Sequence, residues 1–306
     1  MSILFRVSLF AACIVLAEPV MAQDFNAGLD ASSTGDFAIA IENWLPLAEQ
    51  GNASAQYNLG VIYLNGRGVP QNYAEAVRWY RLAAEQGFAE AQQSLGILHM
   101  IGQGVPQDDV EAMRWYRLAA EHGLTQSQSF IGFMYQHGRG VLQDDGEAVR
   151  WYRLAAEQGL GTAQVNLGSM YQEGRGVLQD DGEAVRWYRL AAEQGLETAQ
   201  FRLGLMYDYG RGVPQDDAEA VHWYRLAAAQ GYDGAQLNLG TMYVNGRGVL
   251  QDYAIAHMWL NIAAANGLEN ARRARDIVGE LMTREQISDA QARARACVLS
   301  DYSDCE

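Results

Sequence analysis

The sequence predicts an all-α solenoid, a fold in which short helical hairpins stack in tandem, and a repeated pattern is the main reason. Tryptophan recurs at intervals of 36 residues, at Trp79, Trp115, Trp151, Trp187, Trp223 and Trp259. Glycine recurs at the same interval, at Gly60, Gly96, Gly132, Gly168, Gly204 and Gly240. A fixed period of roughly 20 to 50 residues is the sequence signature of stacked repeats. Each copy also contains two helical patterns, so the stacked element is a helical hairpin.

The first helical pattern of a copy is typified by residues 53–63, and the turn Gly66-Arg67-Gly68 ends it. Glycines end helices because they adopt left-handed backbone conformations. The second pattern starts at Asn72 and ends at Gly87. Five copies start this helix with Asn or Asp three residues before Glu, a capping signal. The pairs are Asn72 and Glu75, Asp108 and Glu111, Asp144 and Glu147, Asp180 and Glu183, and Asp216 and Glu219. In the sixth copy the glutamate is replaced by Ile255, three residues after Asp252.

Six copies occupy residues 53–268, and the flanking segments predict caps. Residues 23–52 resemble a degenerate copy, with Trp44 one position out of register with Trp79, and we expect N-terminal capping helices there. Residues 269–297 predict two C-terminal capping helices, and residues 298–306 a poorly ordered tail. Solenoids need atypical ends because a terminal repeat has one face without a neighbour.

Residues 1–22 have the three parts of a secretory signal peptide: Arg6, an apolar stretch from Val7 to Ala17, and small residues before a cleavage site. We expect cleavage between Ala22 and Gln23, and a periplasmic or secreted protein. The apolar stretch is shorter than the roughly 20 residues that span a bilayer, so no stable membrane span is expected. A lipoprotein attached through Cys13 is the alternative.

The balance of charge excludes several classes of function. The net charge of -15 argues against nucleic acid and anionic membrane surfaces as partners, because both attract basic proteins. All 22 basic residues are arginine. Without lysine there is no phosphate-binding Walker lysine, no Schiff base and no Ser-x-x-Lys acylation pair.

Two cysteines, Cys297 and Cys305, remain after removal of the signal peptide. In an oxidising compartment their spacing allows a disulfide that closes a small loop. Two unpaired thiols on a frayed tail are the alternative.

The repeated pattern is Ala-x-x-x-Leu-Gly-x-x-Tyr, then Gly-x-Gly-Val-x-x-Asp, then Ala-x-x-Trp-Tyr-x-x-Ala-Ala-x-x-Gly. It resembles the Sel1-like repeat, a branch of the tetratricopeptide-like families, over residues 53–268. The resemblance implies a right-handed superhelix that acts as an adaptor and not as an enzyme, with no cofactor. We therefore expect a scaffold of the bacterial cell envelope that binds a peptide or helix of a protein partner. The alternative is a cell-wall-related enzyme or a small-ligand-binding protein.

Comparison among the six copies separates constant from variable positions of the first helix. Gln56, Leu59, Gly60 and Tyr63 recur on one helical face, where the glycine indicates a close helix crossing. The variable positions lie on the opposite face, which in tandem hairpins of this kind lines the concave side. The candidate binding residues there are Tyr57, Val61, Leu64, Ile97, Met100, Phe133, Gln136, Val165, Gln172, Phe201, Leu205, Asp208, Leu237 and Val244.

The side chains at these positions indicate a partly open groove. Aromatic and aliphatic residues that differ from copy to copy are typical of a recognition surface, and Gln136, Gln172 and Asp208 add polarity at one register. Packing against the next first helix is the alternative explanation of the same pattern.

Other motifs favour structural roles over chemical ones. The Trp-Tyr pairs predict core packing and not an aromatic cage, because they keep register with Leu and Ala. The Asp-Asp pairs predict helix caps and not calcium ligands. The turn arginines, such as Arg139 and Arg175, predict charges at helix C-termini, with an anion-binding row as the alternative. The five histidines show no metal-ligand spacing, and no metal site is expected.

Overall fold

The computed structural model describes residues 24–302 and Cys305. The predicted signal peptide (residues 1–22) and Cys13 lie outside these residues. The described part of the chain forms sixteen α-helices and contains no β-strand, which confirms the all-α solenoid of tandem helical repeats. Within this part no helix is both long enough and apolar enough to cross a bilayer.

The helices belong to two compact units. The first unit, residues 1–107, contains α1 (Phe25–Thr34), α2 (Phe37–Glu49), α3 (Ala53–Asn65), α4 (Tyr73–Glu85) and α5 (Ala89–Ile101). The second unit, residues 108–306, contains α6 (Asp109–Glu121), α7 (Thr125–His137), α8 (Asp145–Glu157), α9 (Gly161–Glu173), α10 (Asp181–Glu193), α11 (Glu197–Tyr209), α12 (Asp217–Ala228), α13 (Asp233–Asn245), α14 (Tyr253–Ala265), α15 (Glu269–Glu280) and α16 (Arg284–Leu299). The odd-numbered helices from α3 to α13 are the first helices of the six repeats, and the even-numbered helices from α4 to α14 are the second helices.

The predicted caps start the second helices. The Asn72 side chain accepts hydrogen bonds from the backbone N–H groups of Ala74 and Glu75, both at 3.1 Å. Asp252 caps α14 in the same way, accepting bonds from the backbone N–H groups of Ala254 and Ile255 at 2.8 and 3.0 Å, although this copy lacks the glutamate. The cap therefore depends on the Asx side chain alone. In the first four copies the glutamate pairs with the arginine three residues later, as Glu75 does with Arg78. In the fifth copy Glu219 accepts a hydrogen bond from the Trp223 indole.

The recurring glycine marks the close crossing of two helices within a repeat. A Cβ atom placed on Gly168 would lie 2.7 Å from Cε1 of the buried Tyr188 and 3.3 Å from the Ala184 carbonyl oxygen, so no other residue fits without a shift. Gly204 has the same relation to Tyr224. The close approach predicted from the sequence is thus confirmed.

The recurring tryptophan joins neighbouring repeats, although not to the same extent in every copy. Trp187 is 4% exposed and packs in one apolar cluster with residues of α8 and α9, such as Tyr152 and Leu167. Trp79, Trp115 and Trp259 are likewise buried. Trp151 and Trp223 are half-buried, so the predicted core packing is less complete at these two positions.

Helical hairpins occupy both ends of the described chain. The indole of Trp44 in α2 is buried and donates a hydrogen bond of 3.1 Å to the Phe25 carbonyl oxygen, which fixes α1 against α2. At the other end α16 runs to Leu299, beyond the boundary at residue 297 expected from the sequence. A disulfide joins Cys297 to Cys305, and Tyr302 packs against the cluster formed by α12 to α14. The segment after residue 297 is therefore attached to the last repeat and not frayed up to Tyr302.

Candidate functional site

The variable residues of the first helices form the candidate site, which we call the first-helix surface. Twelve of the fourteen candidates are half-buried, which leaves part of each side chain in contact with solvent: Tyr57, Val61, Leu64, Ile97, Met100, Phe133, Gln136, Gln172, Phe201, Leu205, Leu237 and Val244. Val165 and Asp208 are 9% and 8% exposed, so little of either side chain is in contact with solvent.

The aromatic members contact other rings and keep part of their own surface free. Tyr57 lies 5.1 Å from the ring of Phe88, and Phe201 lies 4.8 Å from that of Tyr232. The Phe133 ring lies 4.4 Å from the imidazole of His137 one turn away. Burial and then the carboxylate of Glu90 raise the pKa of Tyr57, so this ring stays neutral well above pH 7. Each of these aromatic side chains therefore packs against a neighbouring ring and also keeps part of its surface in solvent.

The polar members have a structural explanation that the groove interpretation missed. The buried hydroxyl of Tyr152 donates to Gln136 Oε1, and that of Tyr188 donates to Gln172 Oε1, both at 2.8 Å. Tyr224 donates to Asp208 Oδ2 at 3.0 Å. Burial raises the pKa of all three tyrosines, which keeps them protonated donors. These residues satisfy buried hydroxyls and are not evidence for an open groove.

The sequence contained a signal for these bonds in the sixth repeat. There the tyrosine is replaced by Leu260 and the acceptor by Val244, so donor and acceptor are lost together. A buried hydroxyl without a partner costs roughly 1 to 3 kcal/mol, which agrees with the joint loss in this copy. The signal is confined to the sixth repeat, because the first and second repeats keep the tyrosine, Tyr80 and Tyr116, where the acceptor position is Leu64 and Met100.

The constant glutamine of the first helix connects consecutive helices. The buried Gln164 donates through Nε2 to the Ala156 carbonyl oxygen of the preceding repeat at 3.1 Å. Its Oε1 accepts from Gln194 of its own second helix at 2.8 Å. Gln200 makes the same two contacts, to Ala192 and Gln230. The constant face of the first helix is thus fully used for stacking.

The turn arginines form ion pairs between repeats. Arg139 binds Asp109 with two hydrogen bonds of 2.7 and 3.0 Å, and Arg175 binds Asp145 at 2.8 and 3.1 Å. The hydrogen bond to Asp145 raises the pKa of Arg175. The prediction that the turn arginines face helix C-terminal carbonyls is therefore wrong for Arg139 and Arg175, because each guanidinium binds an aspartate of the preceding repeat. In three Asp-Asp motifs the first aspartate caps its helix and the second, Asp109, Asp145 or Asp217, binds the arginine of the next repeat. In the fourth repeat Asp181 departs from this rule, because its Oδ1 is buried without a hydrogen-bond partner from the described part of the chain.

One ion pair of this kind includes a residue of the first-helix surface. Arg247 binds both Asp217 and Asp208, the latter at 2.7 Å. The hydrogen bonds to Asp217 and then to Asp208 raise the pKa of the guanidinium. Asp208 is therefore neutralised inside the repeat stack and adds no free negative charge to the candidate site.

Charge is distributed unequally between the two kinds of helix. Each second helix from α4 to α10 repeats several acidic and basic side chains, most of them in ion pairs such as Glu183 with Arg186. The first helices carry few charged residues, namely Glu90, Glu173, Glu197, Arg202, Asp208 and Asp233. A weakly charged surface with varied aliphatic and aromatic groups is suited to contact with another protein.

A cleft opens on this surface in the second compact unit. It has a volume of about 390 Å³ and lies where α9 meets the start of α11. It is lined by Thr162, Val165, Asn166, Leu196, Glu197 and Thr198. The floor is apolar, and the remaining lining residues carry hydroxyl, amide and carboxylate groups.

Residues with the usual ligand or catalytic chemistry are dispersed. Nowhere among the described residues do three or more His, Cys, Asp or Glu side chains gather as a metal site would require. His257 is buried, and burial and then the charge of Arg275 lower its pKa, which favours a neutral imidazole. What the described surface offers is shape, apolar contact and hydrogen bonding.

The comparison with known proteins identifies the same six repeats. A family model described as Sel1 repeat matches the chain six times, at residues 53–88, 89–124, 125–160, 161–196, 198–232 and 234–268. The crystal structure of a Sel1 repeat protein from Oxalobacter formigenes is similar at 34% identity and a TM-score of 0.70, covering 78% of this chain and 97% of that one. The crystal structure of c5321, a protective antigen of uropathogenic Escherichia coli strains with an SLR fold, is similar at 27% identity and a TM-score of 0.51, covering 91% and 85%. No curated protein matches the chain.

Proposed function

Because the chain belongs to the Sel1 repeat family, whose members generally mediate protein–protein interactions, we propose that it is a non-enzymatic scaffold that binds a peptide or helix of a partner protein on its first-helix surface. The observation that carries this proposal is the combination of variation, partial exposure and low charge on that surface. Solenoids offer extended surfaces of this kind to partners.

The contrast with the stacking contacts supports the choice of surface. Residues that hold the helices together, such as Gln164 between repeats and Gly168 within one repeat, recur unchanged from copy to copy and are buried. Positions such as Phe133 and Leu205 change from copy to copy and stay half-buried. Stacking alone requires no such variety at positions that touch solvent, whereas recognition of a particular partner does.

We further propose that the protein acts in the bacterial cell envelope after export. The pattern of residues 1–22 supports this, and cleavage would leave Gln23 as the first residue. Fractionation of cells that produce the full chain, followed by determination of the N-terminal residue, tests the proposal. Recovery of the uncleaved chain in the cytoplasm would contradict it.

Site-specific photo-crosslinking in the native host tests the binding surface. A photo-reactive phenylalanine derivative is placed at Phe133 or Leu205 on first helices, and at Leu154 or Leu190 on second helices as matched controls. Leu154 and Leu190 are 43% and 38% exposed, so they are at least as accessible as the test positions. We expect a discrete crosslinked protein from the first pair and not from the second.

Equal crosslinking from all four positions, or crosslinking from the second helices alone, would contradict the proposed surface. Replacement of Phe133 by alanine provides a second readout. We expect it to weaken capture of the crosslinked partner about tenfold or more, as an aromatic anchor would, while the melting temperature of the free protein changes little.

A further inference from the structure

Two repeats fill one and the same position on the first-helix surface with a pair of aromatic rings. In the first repeat the pair is Tyr57 and Phe88, with ring centroids 5.1 Å apart. In the fifth repeat it is Phe201 and Tyr232, at 4.8 Å. The second ring of each pair comes from the N-cap residue of the next first helix. The protein therefore uses pairs of tilted aromatic rings to close the surface between successive first helices at these places.

The fourth repeat has smaller, non-aromatic side chains at the equivalent positions, Val165 and Leu196. The cleft of about 390 Å³ lies at this point. An apolar cavity of roughly 150 Å³ is large enough to hold a benzene ring, so this cleft has room for an aromatic side chain and part of its backbone. Within one molecule, repeats one and five thus show what kind of group the same position accepts.

The rim of the cleft carries polar groups that are free to bind. Asn166 and Glu197 make no side-chain hydrogen bond or ion pair within residues 24–302 and Cys305, and Thr162 is exposed. An unpaired carboxylate, that of Glu197, therefore lies beside the apolar cleft. A free carboxylate favours a positively charged group on whatever enters, and a free amide can bond a peptide backbone.

We propose that this cleft is a specificity pocket that accepts an aromatic side chain of the partner, with an adjacent arginine or lysine held by Glu197 and the partner backbone bonded by Asn166. The inference rests on the proposed function and deepens it by naming the residues that the partner presents. The overall charge of -15 acts in the same direction, because it attracts basic segments and disfavours acidic ones.

The test uses the full chain and capped dipeptides as probes, observed through the methyl NMR signals of Val165 and Leu196. We expect acetyl-Phe-Arg-amide to shift these signals in a saturable manner at millimolar concentration. Acetyl-Ala-Arg-amide lacks the ring and should bind about tenfold more weakly or not at all. Acetyl-Phe-Glu-amide should bind several-fold more weakly because its charge opposes Glu197.

A filled variant tests the cleft itself. Val165→Phe with Leu196→Tyr copies the aromatic pair of the fifth repeat into the fourth, and we expect loss of at least about tenfold in binding of the aromatic probe. The matched control, Ser129→Phe with Leu160→Tyr, makes the same change at the same register of the third repeat and should leave binding unchanged. In these variants binding is followed by shifts of the aromatic probe's own signals, and circular dichroism verifies that both fold.

Glu197→Gln provides a readout that does not depend on filling the cleft. It should reduce the preference for acetyl-Phe-Arg-amide over acetyl-Phe-Glu-amide to near unity. Equal binding of the Phe and Ala probes, or unchanged binding by the filled variant, would overturn the proposal. If the partner is still crosslinked from Phe133 while the filled variant captures it normally, the scaffold function stands and the specificity pocket does not. If the aromatic probe binds as expected but no first-helix position crosslinks a protein, the scaffold function fails instead.

Discussion

The two helices of a repeat obey different constraints, although both contribute to the same core. The second helices of the third and fourth repeats are identical in sequence, and each contains an ion pair between a glutamate and the arginine three residues later. The corresponding first helices, α7 and α9, share their buried glycine and glutamine but differ at Phe133 against Ser169, on the opposite face. Sequence constancy in this chain follows the contacts between helices, and variation is concentrated where side chains reach solvent.

The largest effect that tests this comparison is expected at a tryptophan. Trp187→Ala removes a side chain that is 4% exposed and packs between repeats, so we expect a loss of roughly 3 to 5 kcal/mol in the free energy of unfolding. Trp151→Ala, in an identical local sequence but half-buried, should cost at least about 1 kcal/mol less. Urea unfolding followed by circular dichroism measures both. Equal losses would show that the difference in burial has no energetic meaning.

The close helix crossing predicts the next effect. Gly168→Ala forces a methyl group against Tyr188 and should destabilise the protein by roughly 1 to 3 kcal/mol, the usual cost of overpacking a core. Gly182→Ala is the matched control, because a Cβ atom there meets one atom, Asp180 Oδ1 at 3.2 Å. Gly182→Ala should raise the free energy of unfolding by up to about 1 kcal/mol, because alanine loses less backbone entropy than glycine when the helix forms. A loss in both variants would contradict the proposed reason for the recurring glycine.

The ion pair between repeats is expected to contribute less. In a double-mutant cycle with Asp145→Asn and Arg175→Gln, we expect a coupling energy of about 1 kcal/mol at low salt, since both side chains are partly buried and two hydrogen bonds join them. The exposed pair Glu147 and Arg150 on the same helix should give about 0.2 to 0.5 kcal/mol. When both cycles are repeated in 1 M salt, the coupling energy of the exposed pair should fall more than that of the pair between repeats. Coupling energies of equal size would show that the contact between repeats adds no special stability.

The smallest effect on stability is expected on the first-helix surface. Leu205→Ala should cost about 1 kcal/mol or less, because the side chain is only half-buried, whereas Leu203→Ala, two residues earlier and fully buried, should cost roughly 2 to 5 kcal/mol. Thermal and urea unfolding of the two variants provide the measurement. If Leu205→Ala lowered the free energy of unfolding as much as Leu203→Ala, the variable surface would contribute to stability as the core does.

The parts of the structure that sequence reasoning anticipated are those encoded within one copy. The period, the Asx caps such as Asn72 and the close crossing at Gly168 each depend on residues near in sequence, and all were confirmed. The ion pair of Arg175 with Asp145 joins residues 30 positions apart in different copies. Because the arginine recurs in every copy but the second and the aspartate in four of the six, the shared pattern alone does not say which aspartate an arginine meets.

The burial of the recurring tryptophan also depends on contacts that the sequence of a single copy does not determine. Residues 138–160 and 174–196 are identical, and yet Trp151 is half-buried and Trp187 is buried. The local sequence cannot distinguish them, since their surroundings are supplied by other helices, α6 and α7 in one case and α8 and α9 in the other. For the same reason the cleft beside Val165 appears only when side chains of two successive first helices are placed together.

The identity of residues 138–160 and 174–196 has a consequence for how such a chain changes over generations. Recombination between the two matching gene segments would add or remove one whole repeat, and the new junction would reproduce contacts that already exist, including the pairing of Asp109 with Arg139 and of Asp145 with Arg175. The new neighbours are successive first helices, which share their buried glutamine and glycine, so the product is expected to fold. What changes is the order of first helices along the chain, and therefore the spacing of the side chains that a partner meets. In this architecture new specificity is accessible through changes in gene length, without the loss of stability that most single substitutions bring.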